Sequence, residues 1–264
     1  DTDGVLFVPP DGIEGEQQER AFLEDLNEHM PEGIRIGYDG RYRRMMSYKK
    51  KNYALEEYDG HVKMKGSSLV SRAIEPFGRK FVRKTIRLLL DEDIPALHNA
   101  YLSMREHIME HKWEHVSEFA RTETLKDSLN KYKKDVSDGK RTRSASYELA
   151  LKRLSTSQKP FRKGDRVSYY IAGASDSGPA FLSARLAEEW DPKSPDDNAA
   201  FYLRRLDELC SKFEPFFEPP HFRTIFSSED LFGFNPTGIQ IRNLDFPRSL
   251  IPPASLDDDP SEEF

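Results

Sequence analysis

Apolar residues first gather at Val5-Leu6-Phe7-Val8, a run stopped by Pro9-Pro10, and this reads as a strand over residues 4–10. Over residues 16–30 the period lengthens, with Ala21, Phe22, Leu26 and Met30 recurring at helical spacing. Strand-like alternation returns over 34–38, 42–47, 52–58 and 61–65. Asp39-Gly40 and Asp59-Gly60 separate neighbouring members. Asp-Gly between strand patterns marks a tight hairpin, because such turns need positive φ. The first 66 residues therefore read as an antiparallel sheet with one helix.

After Ser71 the pattern turns helical. Ile74, Phe77, Phe81, Thr85 and Leu88-Leu89 outline an amphipathic helix whose other face carries Arg79, Lys80, Arg83, Lys84 and Arg87. Helices follow over 94–113, 146–154 and 197–213, the last with Ala200, Leu203, Leu206 and Leu209 for packing. Asp138-Gly139-Lys140 reads as a loop, and Gly164-Asp165 leads into a strand over 166–172. Beyond Pro215 the chain is rich in Phe, Pro and Asp, and its last ten residues read as disordered. No internal repeat is present. The fold class expected is α+β, an antiparallel sheet followed by a mostly helical unit.

Composition narrows the class. The 264 residues are 37% apolar and 33% charged, polar for a globular chain but with enough apolar surface for a core. A single cysteine, Cys210, excludes an internal disulfide framework and fits a reducing compartment. No apolar run is long enough for a membrane-spanning helix, and no segment of the sequence reads as a signal peptide. Residue 1 is Asp rather than Met and opens inside a strand pattern, which reads as a piece of a longer polypeptide. The net charge of −6 hides a segregation. Residues 33–88 hold 15 Lys or Arg against 5 Asp or Glu, and residues 126–166 hold 13 against 5. Those segments carry +10 and +8, so the rest sums to −24, including Asp257-Asp258-Asp259, Glu262 and Glu263. Local basic surface of this kind releases counterions from phosphates, whatever the whole-chain sum.

Three constellations carry candidate chemistry. Asp1 and Asp3 flank Thr2 at the mouth of an apolar strand pattern, so their side chains project to one side. Two close carboxylates suit a hard cation that phosphate oxygens can complete, although turn chemistry alone also explains such residues. Second, Ser47-Tyr48-Lys49-Lys50-Lys51-Asn52-Tyr53 faces Lys63-Met64-Lys65-Gly66-Ser67-Ser68 across a hairpin. One reading is a solvated basic face; the other is a grip on a nucleic-acid backbone, Lys supplying charge and Tyr a hydroxyl. Third, His107, His111 and His115 repeat at four-residue spacing. They could supply part of a zinc site, though a solvated helix face needs no third or fourth ligand.

The first two constellations carry a resemblance. Asp1-Thr2-Asp3, then Lys50-Lys51-Asn52-Tyr53, then Lys63-Met64-Lys65-Gly66 resemble the metal-binding Asp-Thr-Asp, Lys-Lys-x-Tyr and Lys-x-Lys-Gly motifs of family B DNA polymerases, in the family's order and at similar intervals. The segment Phe161-Arg162-Lys163-Gly164-Asp165-Arg166-Val167-Ser168-Tyr169-Tyr170-Ile171 resembles a strand of that family's thumb, and residues 198–217 its late thumb helix. The resemblance covers roughly residues 1–215 and departs at Gly4, where the family usually has Ser, and at Asn52, where Arg or Lys is common.

What the resemblance implies is specific. Residues 1–71 would be the C-terminal part of the palm, 72–215 a DNA-binding thumb, and 216–264 a Phe/Pro-rich acidic tail. Asp3, with Asp1 in a lesser role, would be the catalytic carboxylates and bind Mg2+ in a two-metal nucleotidyl transfer to a primer 3′ end. Lys50, Lys51 and Tyr53 would contact the primer strand, with Lys63, Lys65 and Arg72 on the duplex backbone. The partners implied are primer–template DNA, a deoxynucleoside triphosphate and an upstream polymerase segment in cis or in trans. The family's other metal-binding Asp and its nucleotide-binding helix precede the Asp-Thr-Asp motif, so the isolated chain is expected to be inactive. An intracellular location, cytoplasmic or nucleoid-associated, follows from the same resemblance. The competing expectations are a non-catalytic duplex-binding module and a small metal-dependent phosphohydrolase.

Overall fold

Helix α1 (Glu16–Glu28) opens on Glu16 and Glu19, whose carboxylates complement the positive end of the helix dipole, and it buries only Leu23. The computed structural model describes residues 4–49, 51–66, 69, 71, 73–156, 158–174, 178–229, 234–242 and 244–245. The strand expected over 4–10 does not form; Pro9-Pro10 offers no N–H to a ladder. Val5 is 84% exposed, and Phe7 meets Phe22 of α1 with ring centroids 6.1 Å apart. The strand expected over 34–38 is also absent, and with it the hairpin at Asp39-Gly40. There the Asn27 amide donates to the Ile36 carbonyl at 2.9 Å and accepts from the Ile36 N–H at 2.7 Å. One side chain satisfies the backbone groups that a neighbouring strand would have taken.

The remaining alternation does become sheet. β1 (Arg44–Lys49), β2 (Asn52–Glu56) and β3 (Val62–Lys65) pair antiparallel in sequence order. The β2–β3 turn is the expected one: Gly60 takes φ 84, and Asp59 Oδ1 accepts from the His61 N–H at 2.8 Å. Met46, Ala54 and Met64 stand opposite one another on the core face, with Met46 and Ala54 fully buried. The opposite face carries Ser47, Tyr53 and Lys65 in one cross-strand row, and Met45, Leu55 and Lys63 in the next.

Helix α2 (Pro76–Leu90) joins this sheet to the rest. Proline sits in its first turn, where a missing N–H costs nothing. Phe77 and Phe81 enter one apolar cluster, while Val82, Ile86, Leu89 and Leu90 enter a second. A helix buried on both sides in this way ties two cores together. Gly78 permits the close approach: a Cβ there would lie 2.6 Å from Leu209 Cδ1 and 2.8 Å from Ile74 Cγ2. Helix α3 (Ile94–Met109) starts on Asp93, whose Oδ1 accepts from the Ala96 N–H at 3.0 Å. It ends four residues before the expected 113. His111 takes φ 50, and the Lys112 N–H returns to the His107 carbonyl at 3.0 Å, a left-handed C-terminal cap.

Beyond α3 lies a second sheet that the expected mostly helical unit did not include. β4 (Arg121–Thr124), β5 (Arg166–Ile171) and β6 (Ala184–Leu186) form it in that order, all antiparallel, with helices α4 (Leu129–Ser137) and α5 (Ala145–Arg153) between the first two strands. Of these, the strand near 166 and the helix near 146 were expected; β4, α4 and β6 were not. Helix α6 (Ala199–Cys210) is capped by Asn198, whose Oδ1 accepts from the Phe201 N–H at 2.9 Å. The described phenylalanines after Pro215 pack inward. Phe216 and Phe217 are buried, and Phe222 and Phe226 of and beside α7 (Pro219–Ile225) join Phe234 against the second core. A final short strand, β7 (Leu244–Asp245), pairs with Met46 and Met45 and covers the edge of β1. The disorder expected for the last ten residues falls outside the described residues. The described chain is thus α+β, with two small antiparallel sheets and seven α-helices.

Candidate nucleic-acid interface

The turn between β1 and β2 places the central residues of the basic hairpin. Lys51 holds φ 61, a conformation that costs a non-glycine residue strain. The following Asn52 is buried and lies against Gly66 at the end of β3. A Cβ at Gly66 would collide with Asn52 Oδ1 and come within 2.5 Å of the Lys51 carbonyl oxygen, and its φ of 104 also demands glycine. The Lys-x-Lys-Gly glycine therefore packs against the Lys-Lys-x-Tyr turn. The two motifs form one object.

On the face away from the core, Tyr53 of β2 stands directly opposite Lys65 of β3. Lys51 and Lys65 are exposed and Tyr53 half-buried, and among the described residues neither lysine has an ion-pair partner. Lys63 is differently placed. Its ammonium lies 2.5 Å from Glu57 and 5.6 Å from the centre of the Tyr42 ring, and the hydrogen bond to Glu57 raises its pKa. Asp1, Asp3, Lys50 and Arg72 lie outside the described residues, as do Ser67 and Ser68.

The hairpin is bolted to α2 at its other end. Arg87 donates from Nη1 to the Gly60 carbonyl at 2.6 Å and lies 3.4 Å from the carboxylate of Glu56, a fully buried residue that also meets Arg44 at 3.6 Å. Arg79 on the same helix donates to the Ile74 carbonyl. Two arginines of the basic face thus serve the fold. Lys80, Arg83 and Lys84 remain exposed on it without partners among the described residues.

A second basic cluster forms where β4 meets β5. The Leu125 N–H donates to Asp165 O at 2.9 Å and the Gly164 N–H to Leu125 O at 2.8 Å, while Thr124 pairs with Arg166. This brings Lys126, Arg162, Lys163 and Arg166, all exposed, to one end of the sheet. The charge of this segment is visible in the sequence, while its placement depends on the β4–β5 pairing.

The three histidines do not converge. His107 meets the Trp113 ring edge-on at 4.5 Å, and His111 Nδ1 lies 2.9 Å from the buried carboxylate of Asp197. His115 sits at the start of a short 3-10 turn, where Glu118 Oε1 accepts from its N–H at 2.9 Å. Among the described residues no group of three or more His, Cys, Asp or Glu side chains could hold a metal ion. The donor chemistry of Asp1 and Asp3 suits a hard divalent cation, but two carboxylates alone leave most of its coordination to other groups. The buried network around Trp113, whose Nε1–H donates to Asp197 Oδ2 at 2.9 Å, and the ion pair between fully buried Glu75 and Arg205 at 3.2 Å went unforeseen. Their partners lie 84 and 130 residues apart in the chain, and local patterning does not report such pairs.

Comparison with known proteins bears on this arrangement. Residues 1–212 match the model of DNA polymerase family B. The chain is 24% identical over 213 residues to a DNA polymerase of Thermococcus aggregans, covering 76% of this chain and 11% of that protein. It is 25% identical over 206 residues to a DNA polymerase of Pyrococcus glycovorans, covering 77% and 25%. In fold it is similar to the family B DNA polymerase of the hyperthermophilic archaeon Pyrobaculum calidifontis, with a TM-score of 0.59 at 16% identity over 77% of this chain and 25% of that one. The chain belongs to DNA polymerase family B. It spans between about a tenth and a quarter of the length of these relatives. Among the described residues no helix is long and apolar enough to cross a membrane.

Proposed function

We propose that this chain is the C-terminal palm and thumb portion of a DNA-directed DNA polymerase and grips primer–template DNA for nucleotidyl transfer. The observation that carries this reading is the docking of Gly66 onto the Lys51-Asn52 turn, which holds the exposed Lys51 turn against the end of β3, next to the Tyr53–Lys65 cross-strand pair. Lysine ammonium groups neutralise phosphates and a tyrosine hydroxyl can donate to one, so this face suits a duplex backbone near the primer terminus. The sheet with α1 corresponds to palm, residues 1–71. The unit built on α2 to α6 corresponds to thumb, residues 72–215, and Lys80, Arg83 and Lys84 extend the cationic track along it. Lys63, held by Glu57, plays a smaller part than Lys65.

Asp3 and Asp1 would hold Mg2+ together with a carboxylate from an upstream segment, which in the family also brings the nucleotide-binding helix. Bound there, Mg2+ supplies Lewis-acid activation of the primer 3′-hydroxyl and charge neutralisation at the deoxynucleoside triphosphate. This chain's own residues position the primer strand and hold the duplex behind it.

The test is a primer-extension assay on the polymerase that contains this segment. Asp3→Asn is expected to abolish incorporation while duplex affinity stays within about twofold, because removing one carboxylate removes no phosphate contact. Wild-type incorporation by Asp3→Asn would sink the assignment. The chain alone is expected not to extend a primer.

A further inference from the structure

Lys80 and Lys84, one turn apart on α2, stand at the rim of a cleft of about 260 Å3 between α2 and α3. With Arg83 they are the exposed cations of α2 that have no ion pair or hydrogen bond among the described residues. The cleft walls include Phe81, Met104 and Trp113. Its single carboxylate, Glu118, is already committed: Oε1 accepts from the Glu114 N–H at 2.8 Å and the His115 N–H at 2.9 Å. Apolar walls beneath two free ammonium groups fit a ligand with one apolar side chain and carboxylates beside it.

The chain carries such a ligand. Residues 256–264 read Leu256-Asp257-Asp258-Asp259-Pro260-Ser261-Glu262-Glu263-Phe264, five carboxylates within a nine-residue stretch that ends on an aromatic ring. This segment lies outside the described residues, and the last described residue, Asp245, is fixed opposite Met45. Phe264 follows Asp245 by 19 residues. Extended chain covers about 3.3 Å per residue, so the segment can reach about 60 Å. A globular chain of this length has a radius of gyration of about 18 Å, and the cleft is within range.

We propose that residues 256–264 dock in cis on the α2–α3 cleft, with Phe264 between its apolar walls and the five carboxylates neutralising Lys80, Arg83 and Lys84. The segment then acts as a built-in competitor for polyanions, occupying cations that a duplex backbone would otherwise take. The competition, though not the docking, rests on the reading of α2 as a duplex contact.

Zero-length carbodiimide crosslinking of the dilute full chain, mapped by mass spectrometry, tests the docking directly, since amide bonds form only between amines and carboxylates in contact. The expected result is crosslinks from Lys80 and Lys84 to residues 257–263, lost in Phe264→Ser, which keeps every charge. Crosslinks spread equally over Lys133, Lys134 and Lys159, which are exposed elsewhere, would overturn docking, as would crosslinks that persist unchanged in Phe264→Ser. A second arm reads the competition. Neutralising the tail (Asp257→Asn, Asp258→Asn, Asp259→Asn, Glu262→Gln, Glu263→Gln) is expected to tighten duplex binding about tenfold and to steepen its salt dependence by about two to three phosphate contacts. Specific crosslinks with unchanged duplex affinity would uphold the docking and overturn the competition.

Discussion

Glycine 66 shows how much a single residue decides here. Its φ of 104 and the absence of a Cβ let the end of β3 lie on Asn52 and the Lys51 carbonyl. Gly66→Ala is expected to cost about 1–3 kcal/mol in denaturant unfolding and to weaken duplex binding with it, because the turn must shift to relieve the clash. Glu56 is a second such residue. Buried beside Arg44 and Arg87, it offsets charges that hold the hairpin to α2. Glu56→Ala should destabilise by about 2–3 kcal/mol, less than a fully buried pair because both arginines reach water. Glu148 makes a pH prediction. Its hydrogen bond with Arg143, followed by that from Tyr132, holds its pKa below the ordinary 4.5. A carboxylate depressed in the folded state adds stability above the unfolded pKa and loses it as pH falls through the folded one. Wild type and Glu148→Gln should therefore differ in melting temperature at pH 7, and converge as pH falls through the lowered pKa of Glu148 in the folded state.

At the level of elements, α2 does two jobs with two sets of residues. Arg79 and Arg87 are spent on backbone carbonyls, and Lys80, Arg83 and Lys84 are not. In the chain whose tail carboxylates are neutralised, replacing those three by Ala should leave the melting temperature within a degree or two and lower the slope of log affinity against log salt by about 2.7. The helices and the basic hairpin were legible because 3.6-residue and two-residue periods are local properties. The strands over 4–10 and 34–38 were misread for the complementary reason. Alternation reports a surface able to pair, whereas a ladder needs a partner, and Asn27 filled that role for Ile36 with one amide. β4 escaped notice because Arg121-Thr122-Glu123-Thr124 is polar and short, and only its pairing with β5 makes it a strand. Within the candidate site, the motif order was legible and its three-dimensional logic was not. Nothing in the sequence says that Gly66 is there to admit Asn52, or that Lys63 is taken by Glu57.

Across the whole molecule, two cores share α2, and the aromatic segment after Pro215 folds back over the second before β7 closes the sheet edge. The basic hairpin and the helical unit beyond it are therefore one continuous packing arrangement, and a duplex lying across both would meet Lys51, Tyr53 and Lys65 on one and basic side chains on the other. The most direct test of that account is the equilibrium affinity of this chain for a primer–template duplex, measured from about 50 to 200 mM salt for wild type and for Lys51→Ala/Lys65→Ala. The account predicts a linear fall of log affinity with log salt, and a slope smaller by about 1.8 in the double variant, two phosphate contacts having been removed. Affinity independent of salt, or a double variant with the wild-type slope, would contradict it.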